Sequence, residues 1–166
     1  RFADIMDNDG INDRPIDIVC DLTVDGDALI LDFSGSSDQS EGPINLPETG
    51  TISACMIAVK HWWPEIPINA GCFAPLEIVT RPGSVLSARA PAAVAGFSEV
   101  MLRVTDVVLA ALGELDPENA IGCTFGTTSG ISISSQTASG PLLGAWYLSG
   151  GYGGSALCDG LMGATP

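Results

Sequence analysis

Apolar and polar residues alternate along the first part of the chain in the way expected of a β-hairpin. Over residues 16–24 the two classes alternate at several steps, which is the period of a half-buried strand. A second apolar run, 28–33, follows the dipeptide Asp25-Gly26. Asp-Gly between two such runs indicates a type I′ turn, which needs a positive φ at both central residues. The pattern predicts a hairpin over residues 15–33, with Asp32 at its outgoing end.

The hairpin leads into a long polar segment and then into a helix. Residues 34–50 contain three Gly and two Pro, which favour turns. Residues 51–63 carry apolar side chains at helical spacing, namely Ile52, Met56, Val59, Trp62 and Trp63. Pro64 ends this helix. Because a loop of this length is usually functional or disordered, and this one has ordered neighbours, we expect a binding or interface loop. The alternative is an ordinary long connection.

A second helix is predicted over residues 98–115. Ser98 is a plausible N-cap, Glu99 suits the first turn, and Asp116-Pro117 ends the helix. Its apolar stripe, which we expect to be core, consists of Val100, Val104, Val107, Val108, Ala111, Leu112 and Leu115. Arg103 and Asp106 lie off the richest side of this stripe.

Short β-prone segments make up the rest of the chain. They are a strand at 76–80, a type II turn at 81–84, a strand that begins at Val85-Leu86, a β-rich region over 120–149 and a glycine-rich end over 150–166. The fold class is therefore predicted to be α+β, with β-hairpins and short strands packed against two main helices. The chain opens without Met and closes in a glycine-rich segment, so we expect residues 1–166 to be a single fragment of a larger subunit.

Composition excludes several classes of function. The formal net charge is −14, from 6 Lys and Arg against 20 Asp and Glu, which disfavours binding to nucleic acid and to an anionic membrane. No apolar run is long enough to predict a transmembrane helix, and no signal peptide pattern opens the chain. The five Cys show no CxxC spacing, so we expect them to be small buried hydrophobes in a reducing cytosol, which implies a cytoplasmic protein.

The sequence offers little for a metal site. His61 is the only His, so a His-based site cannot be built, and we expect it to pack or cap at the helix end. Residues 7–10, Asp-Asn-Asp-Gly, match part of a calcium loop, but its later ligands are absent. We therefore predict Asx turn chemistry there and no metal ligand in this chain.

Several ordered motifs resemble the hydantoinase B/5-oxoprolinase family, which includes a related acetone carboxylase subunit. They are Asp32-Phe33-Ser34-Gly35-Ser36-Ser37 with Gln39 and Gly42-Pro43-Ile44-Asn45, then Ile66-Pro67-Ile68-Asn69-Ala70-Gly71-Cys72-Phe73, Pro82-Gly83-Ser84, Pro91-Ala92-Ala93-Val94, the helix 103–111, and Gly150-Gly151 with Gly153-Gly154 and Asp159-Gly160. Together they extend over nearly the whole chain, and each alone is a weak signal.

The resemblance implies part of an enzyme that opens cyclic amides, such as hydantoins or 5-oxoproline, in an ATP-dependent hydrolysis. Its alternatives are acetone carboxylase-type carboxylation and a non-catalytic lobe that assembles with the ATP-handling partner. It further implies an oligomer with a hydantoinase A-type ATP-binding subunit or domain. ATP and a divalent metal are expected in that complex, no cofactor is expected on this chain, and the isolated chain is expected to be inactive. A third reading, an independent small β-rich binding protein, is disfavoured.

Polar residues in the Gly- and Pro-rich motifs are the candidate site. Amides and carboxylates there could hydrogen-bond a ring amide or orient water. The catalytic candidates are Asp32, Asn45, Asn69, Glu99 and Asp159, and the substrate-binding candidates are Gln39, Gly151 and Gly153. The alternative for the polar residues is that they satisfy turn backbones. The glycine-rich end could offer backbone N–H groups to an anion, although shaping the backbone near a site is the favoured role.

Overall fold

The computed structural model describes residues 1–164, and the last two residues of the predicted glycine-rich end lie outside this range. A four-stranded sheet has the order β1-β2-β3-β4, with strands β1 (Phe2–Met6), β2 (Ile16–Asp25), β3 (Ala28–Asp32) and β4 (Leu76–Val79). The pairs β1–β2 and β2–β3 are antiparallel, and β3–β4 is parallel. Two helices, α1 (Glu48–Trp62) and α2 (Phe97–Leu115), pack together, so the predicted α+β class is confirmed.

The long strand β2 changes partner halfway along. Its first half, up to Cys20, pairs with β1, and its second half, from Asp21, pairs with β3. Strand β1 was not predicted. The two-residue connection between β2 and β3 is Gly26-Asp27, not the predicted Asp25-Gly26. Only Gly26 has a positive φ, 60°, which fits a type II′ turn instead of the expected type I′.

Helix α1 begins at Glu48, three residues earlier than the predicted 51, and ends one residue before the predicted 63. The prediction placed Gly50 in the loop because glycine favours turns. In the structure Gly50 lies in the first turn of α1, where the side chain of buried Leu46 occupies the space that a Cβ would need. The buried face also differs from the predicted one. It is formed by Thr51, Ala54, Cys55, Ala58 and Val59. Most of these buried side chains are small, whereas the larger Ile52 and Met56 are only half-buried.

Helix α2 spans Phe97–Leu115 and packs against α1, β2 and β1. The predicted apolar stripe is buried except for Leu115, which is 59% exposed. The predicted N-cap, Ser98, is wrong, because the capping position belongs to Gly96. The core beneath both helices includes Phe33, Ile18, Leu31, Leu46, Leu86, Val104 and Val108.

The segment after β4 contains the predicted type II turn. Ser84 N–H donates to Arg81 O at 3.0 Å, and Gly83 has a φ of 81°. The predicted strand at Val85-Leu86 is wrong, since these two buried residues lie in a turn region. Val85 N–H instead donates to Ser37 O at 3.0 Å, and Val85 O accepts from Leu46 N–H at 2.7 Å.

A separate two-stranded antiparallel sheet follows α2 and a short 3-10 helix, Pro117–Asn119. It consists of β5 (Gly130–Thr137) and β6 (Gly140–Tyr147), and its side chains on both faces are largely exposed. In the described part of the chain, no helix is long and apolar enough to cross a membrane.

The five cysteines are free and do not share one environment. Cys20 and Cys55 are buried, as expected, and burial raises the pKa of the Cys20 thiol to about 12. Cys72 is half-buried, and the expectation of burial is wrong for Cys123 and Cys158, which are exposed.

Candidate functional site

The segment between β3 and α1, residues 33–47 in the structure, is held to the sheet by its serines. Ser36 Oγ accepts from Val19 N–H at 3.0 Å and donates to Val19 O at 3.2 Å. Ser37 Oγ accepts from Asp17 N–H at 2.9 Å. Asp17 and Val19 lie in the first half of β2, which does not pair with β3. The two serine hydroxyls therefore form hydrogen bonds along this edge of β2 in place of a neighbouring strand.

Asn45 organises the middle of this loop. Its side chain is fully buried, and its Nδ2 donates to the carbonyls of Ser40, Gly42 and Ala93 at 3.1, 2.9 and 2.8 Å. Its Oδ1 accepts from Ser40 N–H at 2.8 Å. Because backbone groups occupy the amide on both sides, Asn45 ties the loop to residue 93. A catalytic role for Asn45 stays a prediction.

The turn at residues 7–10 is built around a buried carboxylate. Asp9 is 4% exposed and accepts from the N–H groups of Ile11 at 2.9 Å, Asn12 at 2.6 Å and Gly42 at 2.9 Å. These donors hold the pKa of the Asp9 carboxyl well below its usual range. A Cβ on Gly42 would overlap the Asp9 carbonyl oxygen, so this position requires glycine. The geometry is that of the predicted Asx turn.

Three further candidates are engaged with nearby backbone. Asp32 Oδ1 accepts from Ser34 N–H at 2.8 Å, and the hydrogen bonds with Ser34 lower the pKa of the Asp32 carboxyl. Gln39 Oε1 accepts from Arg89 N–H at 2.9 Å. The exposed Asn69 accepts from the N–H groups of Gly71 and Cys72 at 2.8 and 3.1 Å. In this structure each of these side chains bonds a turn or loop backbone.

A charged edge of α2 contacts a second group of residues. Glu99, Arg103 and Asp106 follow one another at i, i+4 and i+7, so they share one side of the helix. All three contact the segment 124–128, which we call the threonine wall: Thr124, Phe125, Gly126, Thr127 and Thr128.

Both carboxylates of this edge receive hydrogen bonds from the threonine wall. Glu99 accepts from Thr128 N–H at 3.0 Å, from Thr128 Oγ1 at 2.7 Å and from Thr127 Oγ1 at 3.3 Å. Asp106, which is 1% exposed, accepts from Thr124 N–H at 3.1 Å and Thr124 Oγ1 at 2.9 Å. The wall is therefore fixed at both of its ends.

Arg103 occupies the middle of this edge. Its guanidinium pairs with the Asp4 carboxylate on β1 and fills the place that a side chain at Gly126 would need. Gly126 also has a φ of 76°, in the left-handed region that favours glycine. Arg103 therefore links β1 to the threonine wall through its ion pair with Asp4 and its packing against Gly126.

Behind the threonine wall lies a cleft of about 530 Å³ between α2, the end of α1 and the glycine-rich end. Its lining is mostly apolar, with Ile57, Phe97, Met101, Leu102, Leu109 and Ile121, and polar groups come from Ser98, Thr105, Asp106, Thr124, Thr128, His61, Gly122 and Tyr152. Size, apolar lining and a few convergent polar groups are typical of small-molecule sites. This cleft is the candidate functional site.

The predicted candidates divide clearly around the cleft. Glu99 lies beside it, because Glu99 holds the lining residue Thr128. Gly153 packs directly on the lining residue Gly122, where a Cβ on either would overlap the other backbone. Gly151 and Asp159 lie exposed in the same glycine-rich end. Asp32, Gln39, Asn45 and Asn69 do not line the cleft.

Several backbone groups of the glycine-rich end bond to other backbone segments. Gly153 N–H donates to Cys123 O at 2.9 Å, and Gly122 N–H donates to Gly154 O at 2.8 Å. These glycines permit two backbone segments to touch, which is the favoured role from the sequence. The site residues that sequence reasoning missed are Ser98 as a lining residue, Asp106 and the threonine wall. The signal available was the spacing of Glu99, Arg103 and Asp106.

The described residues of the cleft include neither a cluster of metal ligands nor a Lys or Arg that could bind a phosphate, and the absence of a cofactor on this chain stays a prediction. Across residues 1–164, no group of three or more His, Cys, Asp or Glu side chains is placed to hold a metal. Within the described lining of the cleft there is no Lys or Arg to bind a phosphate. His61 is exposed at the cleft, and its Nδ1 lies 3.0 Å from Ile57 O, one helical turn back.

Comparison with known sequences relates the whole chain to one family. A family model described as hydantoinase B/oxoprolinase matches residues 1–166. A 5-oxoprolinase of Dictyostelium discoideum is 37% identical over an alignment of 131 positions, which covers 72% of this chain and 10% of that protein. The 5-oxoprolinase 1 of Arabidopsis thaliana is 35% identical over an alignment of 142 positions, which covers 80% of this chain and 10% of that protein. The chain spans about a tenth of the length of these curated relatives.

A solved structure shares the fold. The crystal structure of an ATP-dependent caprolactamase from Pseudomonas jessenii matches with a TM-score of 0.74 and 20% sequence identity. The match covers 91% of this chain and 27% of that chain. The arrangement of strands and helices described above therefore also occurs in an experimental structure.

Proposed function

The chain belongs to the hydantoinase B/oxoprolinase family, and on that premise we propose that it forms part of a larger subunit that hydrolyses cyclic amides in an ATP-dependent reaction. The observation that carries this proposal is the family match over residues 1–166. In such a reaction water adds to the ring carbonyl carbon and the ring C–N bond breaks. The carbonyl becomes a carboxylate, and the released nitrogen becomes an amine from a lactam or a carbamoyl NH₂ from a hydantoin. The chain spans about a tenth of the length of the curated relatives, so we assign the activity to the full-length polypeptide and not to these 166 residues alone.

The cleft behind the threonine wall supports this proposal as the place where the ring lies. A cyclic amide joins a hydrocarbon ring to one polar group, and the cleft joins an apolar lining to a few hydroxyls. Its volume of about 530 Å³ is within the range of small-molecule pockets, roughly 300–1,000 Å³. The wall is fixed by Glu99 and Asp106, so the lining is pre-formed.

ATP is assigned in this proposal to a hydantoinase A-type partner subunit or domain. The chain has only 6 Lys and Arg, and at least four of them already have polar partners, including Arg1 with Asp21 and Arg81 with Asp38. Arg103 pairs with Asp4, and Lys60 Nζ donates to Trp63 O at 2.8 Å at the end of α1. A divalent metal is likewise assigned to residues outside this chain. The complex would then bring the activated ring amide to the cleft from the partner.

A second candidate function, a lobe for assembly, is favoured by the β5–β6 sheet. Its register places Ile131 opposite Trp146, and Ile133 lies two residues along the same face. These three side chains are 47–57% exposed, and a two-stranded sheet alone is marginally stable in water. This face would then pack against the ATP-handling partner instead of contributing to chemistry.

The test is ring opening by the full-length polypeptide together with its ATP-handling partner. ADP release that depends on a hydantoin, 5-oxoproline or a simple lactam supports hydrolysis. Product formed only from acetone and bicarbonate would instead support the carboxylase alternative. We expect Leu102→Trp, which fills the cleft, to lower kcat/KM at least about tenfold while the complex stays assembled.

A hairpin variant serves as the counterpart. Trp146→Ser should leave turnover unchanged if the cleft carries the chemistry. The assembly role is correct, and the cleft assignment wrong, if two results occur together. Trp146→Ser would make the complex dissociate, and Leu102→Trp would leave turnover unchanged. Ring opening by the 166-residue chain without partner would contradict our expectation that it is inactive alone.

A further inference from the structure

The hydrogen-bond directions inside the cleft specify what kind of ring it accepts. Thr128 Oγ1 donates its single proton to Glu99 Oε1 at 2.7 Å. Ser98 Oγ lies 3.2 Å from Thr128 Oγ1, and since the threonine proton is committed, the proton between the two oxygens comes from Ser98. The relay runs from Ser98 to Thr128 to Glu99 and leaves Ser98 Oγ with acceptor lone pairs only.

The other two threonine hydroxyls of the lining are committed in the same way. Thr105 Oγ1 donates to Met101 O at 3.0 Å, and Thr124 Oγ1 donates to Asp106 Oδ2 at 2.9 Å. The four Ser and Thr hydroxyls that line the described cleft therefore have no proton left for a ligand. A ligand N–H can still donate to Ser98 Oγ.

The charges around the cleft select against a negative group. Within the described lining, Asp106 contributes a buried carboxylate and no Lys or Arg is present. The nearby cation, Arg103, is on the other side of the threonine wall and is paired with Asp4. A carboxylate entering the cleft would lose hydration, find no Lys or Arg in the described lining and approach the Asp106 carboxylate, and each of these is unfavourable.

From these observations we propose that the cleft binds the uncharged ring of a simple lactam, with the ring N–H donating to Ser98 Oγ, and discriminates against a ring that bears a carboxylate. This inference rests on the proposed function and adds the substrate class to it. Ser98 is assigned as a substrate-positioning residue. A matched pair of substrates isolates the claim, because 5-oxoproline is 2-pyrrolidinone with one added carboxylate.

The experiment uses the full-length polypeptide with its partner and measures kcat/KM for both lactams by ADP release and the dissociation constant of each by calorimetry. We expect 2-pyrrolidinone to be preferred at least about tenfold in both quantities. Equal or better use of 5-oxoproline overturns the inference. If neither lactam is turned over but 2-pyrrolidinone binds more tightly, the substrate class stands and the proposed hydrolysis falls. If neither binds, the inference is wrong.

Ser98→Ala tests the hydrogen bond itself. It should raise KM for 2-pyrrolidinone roughly fivefold, within the range of one hydrogen bond, and leave kcat nearly unchanged. N-methyl-2-pyrrolidinone has no N–H, so the wild type and Ser98→Ala should handle it equally. A loss of the same size on both compounds would show that Ser98 acts only through structure and would contradict the assignment.

A change of charge completes the test. Leu102 is half-buried in the lining, and Leu102→Arg adds a guanidinium group to a described lining that contains no Lys or Arg. We expect this variant to shift the preference at least about tenfold toward 5-oxoproline. Val24→Arg is the matched control, because Val24 is 60% exposed at the end of β2 and does not line the cleft. The same shift in both variants would mean that the effect is general electrostatics and would overturn the inference.

Discussion

Replacing Asn45 separates a structural from a catalytic role for the loop after β3. Asn45→Ala removes four hydrogen bonds of 2.8–3.1 Å from a fully buried side chain. Gly42 O keeps a bond from Ser40 Oγ at 3.1 Å, and Ala93 is exposed enough for its carbonyl to be hydrated. The backbone N–H and carbonyl of Ser40 both lose their hydrogen bonds to the Asn45 side chain and are the groups most affected.

The expected cost follows from that count. Two unsatisfied backbone groups at about 1–3 kcal/mol each, partly relieved by relaxation, predict a loss of about 3 kcal/mol in the free energy of unfolding. For a domain of this size that corresponds to a fall in Tm of roughly 6–12 °C. Asn45→Asp should cost more at pH 7, because it turns a buried anion toward the carbonyls that the amide now bonds.

The assay is urea unfolding followed by tryptophan fluorescence, in which the half-buried Trp62 and Trp63 beside the core report the change and the exposed Trp146 adds a background. Asn69→Ala is the matched control, because this exposed amide accepts only two turn N–H groups. It should cost about 0.5–1 kcal/mol. If Asn45→Ala costs no more than Asn69→Ala, the structural reasoning is wrong. Lost turnover of the full complex with unchanged stability would then restore the catalytic prediction for Asn45.

Two further predictions concern the contact between Gly42 and Asp9. Gly42→Ala places a Cβ on the Asp9 carbonyl oxygen and should cost about 3 kcal/mol or more, whereas Gly151→Ala, with nothing nearer than 3.8 Å, should cost less than about 0.5 kcal/mol in the same urea assay. Equal costs would contradict the packing argument. The lowered pKa of Asp9 stabilises the fold above the unfolded carboxyl's pKa, near 3.9, and this contribution is lost as pH falls below it. Asp9→Asn should therefore be less stable than wild type at pH 7, with the gap narrowing toward pH 3, and a pH-independent gap would refute this.

The sequence predicted those parts of the fold that one local signal determines. The hairpin and α2 have clear periods, and the type II turn at 81–84 has its Pro and Gly in the required positions. Helix α1 was misread because its buried face uses Ala and Cys, and because Gly50 serves packing with Leu46 rather than a turn. Side-chain size is a poor guide where two helices need small residues to approach each other.

The cleft could not be predicted from local pattern, because its walls come from four distant segments. Ile57 and His61 lie on α1, Met101 and Leu109 on α2, and Thr128 and Tyr152 arrive from the last third of the chain. The sequence placed Asp106 only to one side of the apolar stripe of α2. In the structure its carboxylate is buried and needs hydrogen-bond donors, which Thr124 provides. That pairing depends on tertiary structure.

The two groups of polar residues therefore have different tasks. The motifs after β3 that carry the family resemblance use their polar groups on backbone: Ser36 completes the edge of β2, Gly42 admits the Asp9 turn, and Asn45 fixes residue 93. Polar groups facing the cleft come instead from α2 and the threonine wall, where Glu99 and Asp106 orient hydroxyls toward themselves. Helix α2 packs its apolar stripe into the core and holds the threonine wall with its charged edge. It can thereby present a rigid cleft whose described lining contains no Lys or Arg. Specificity for a ring is thus expected to depend on α2, and stability on the loop after β3.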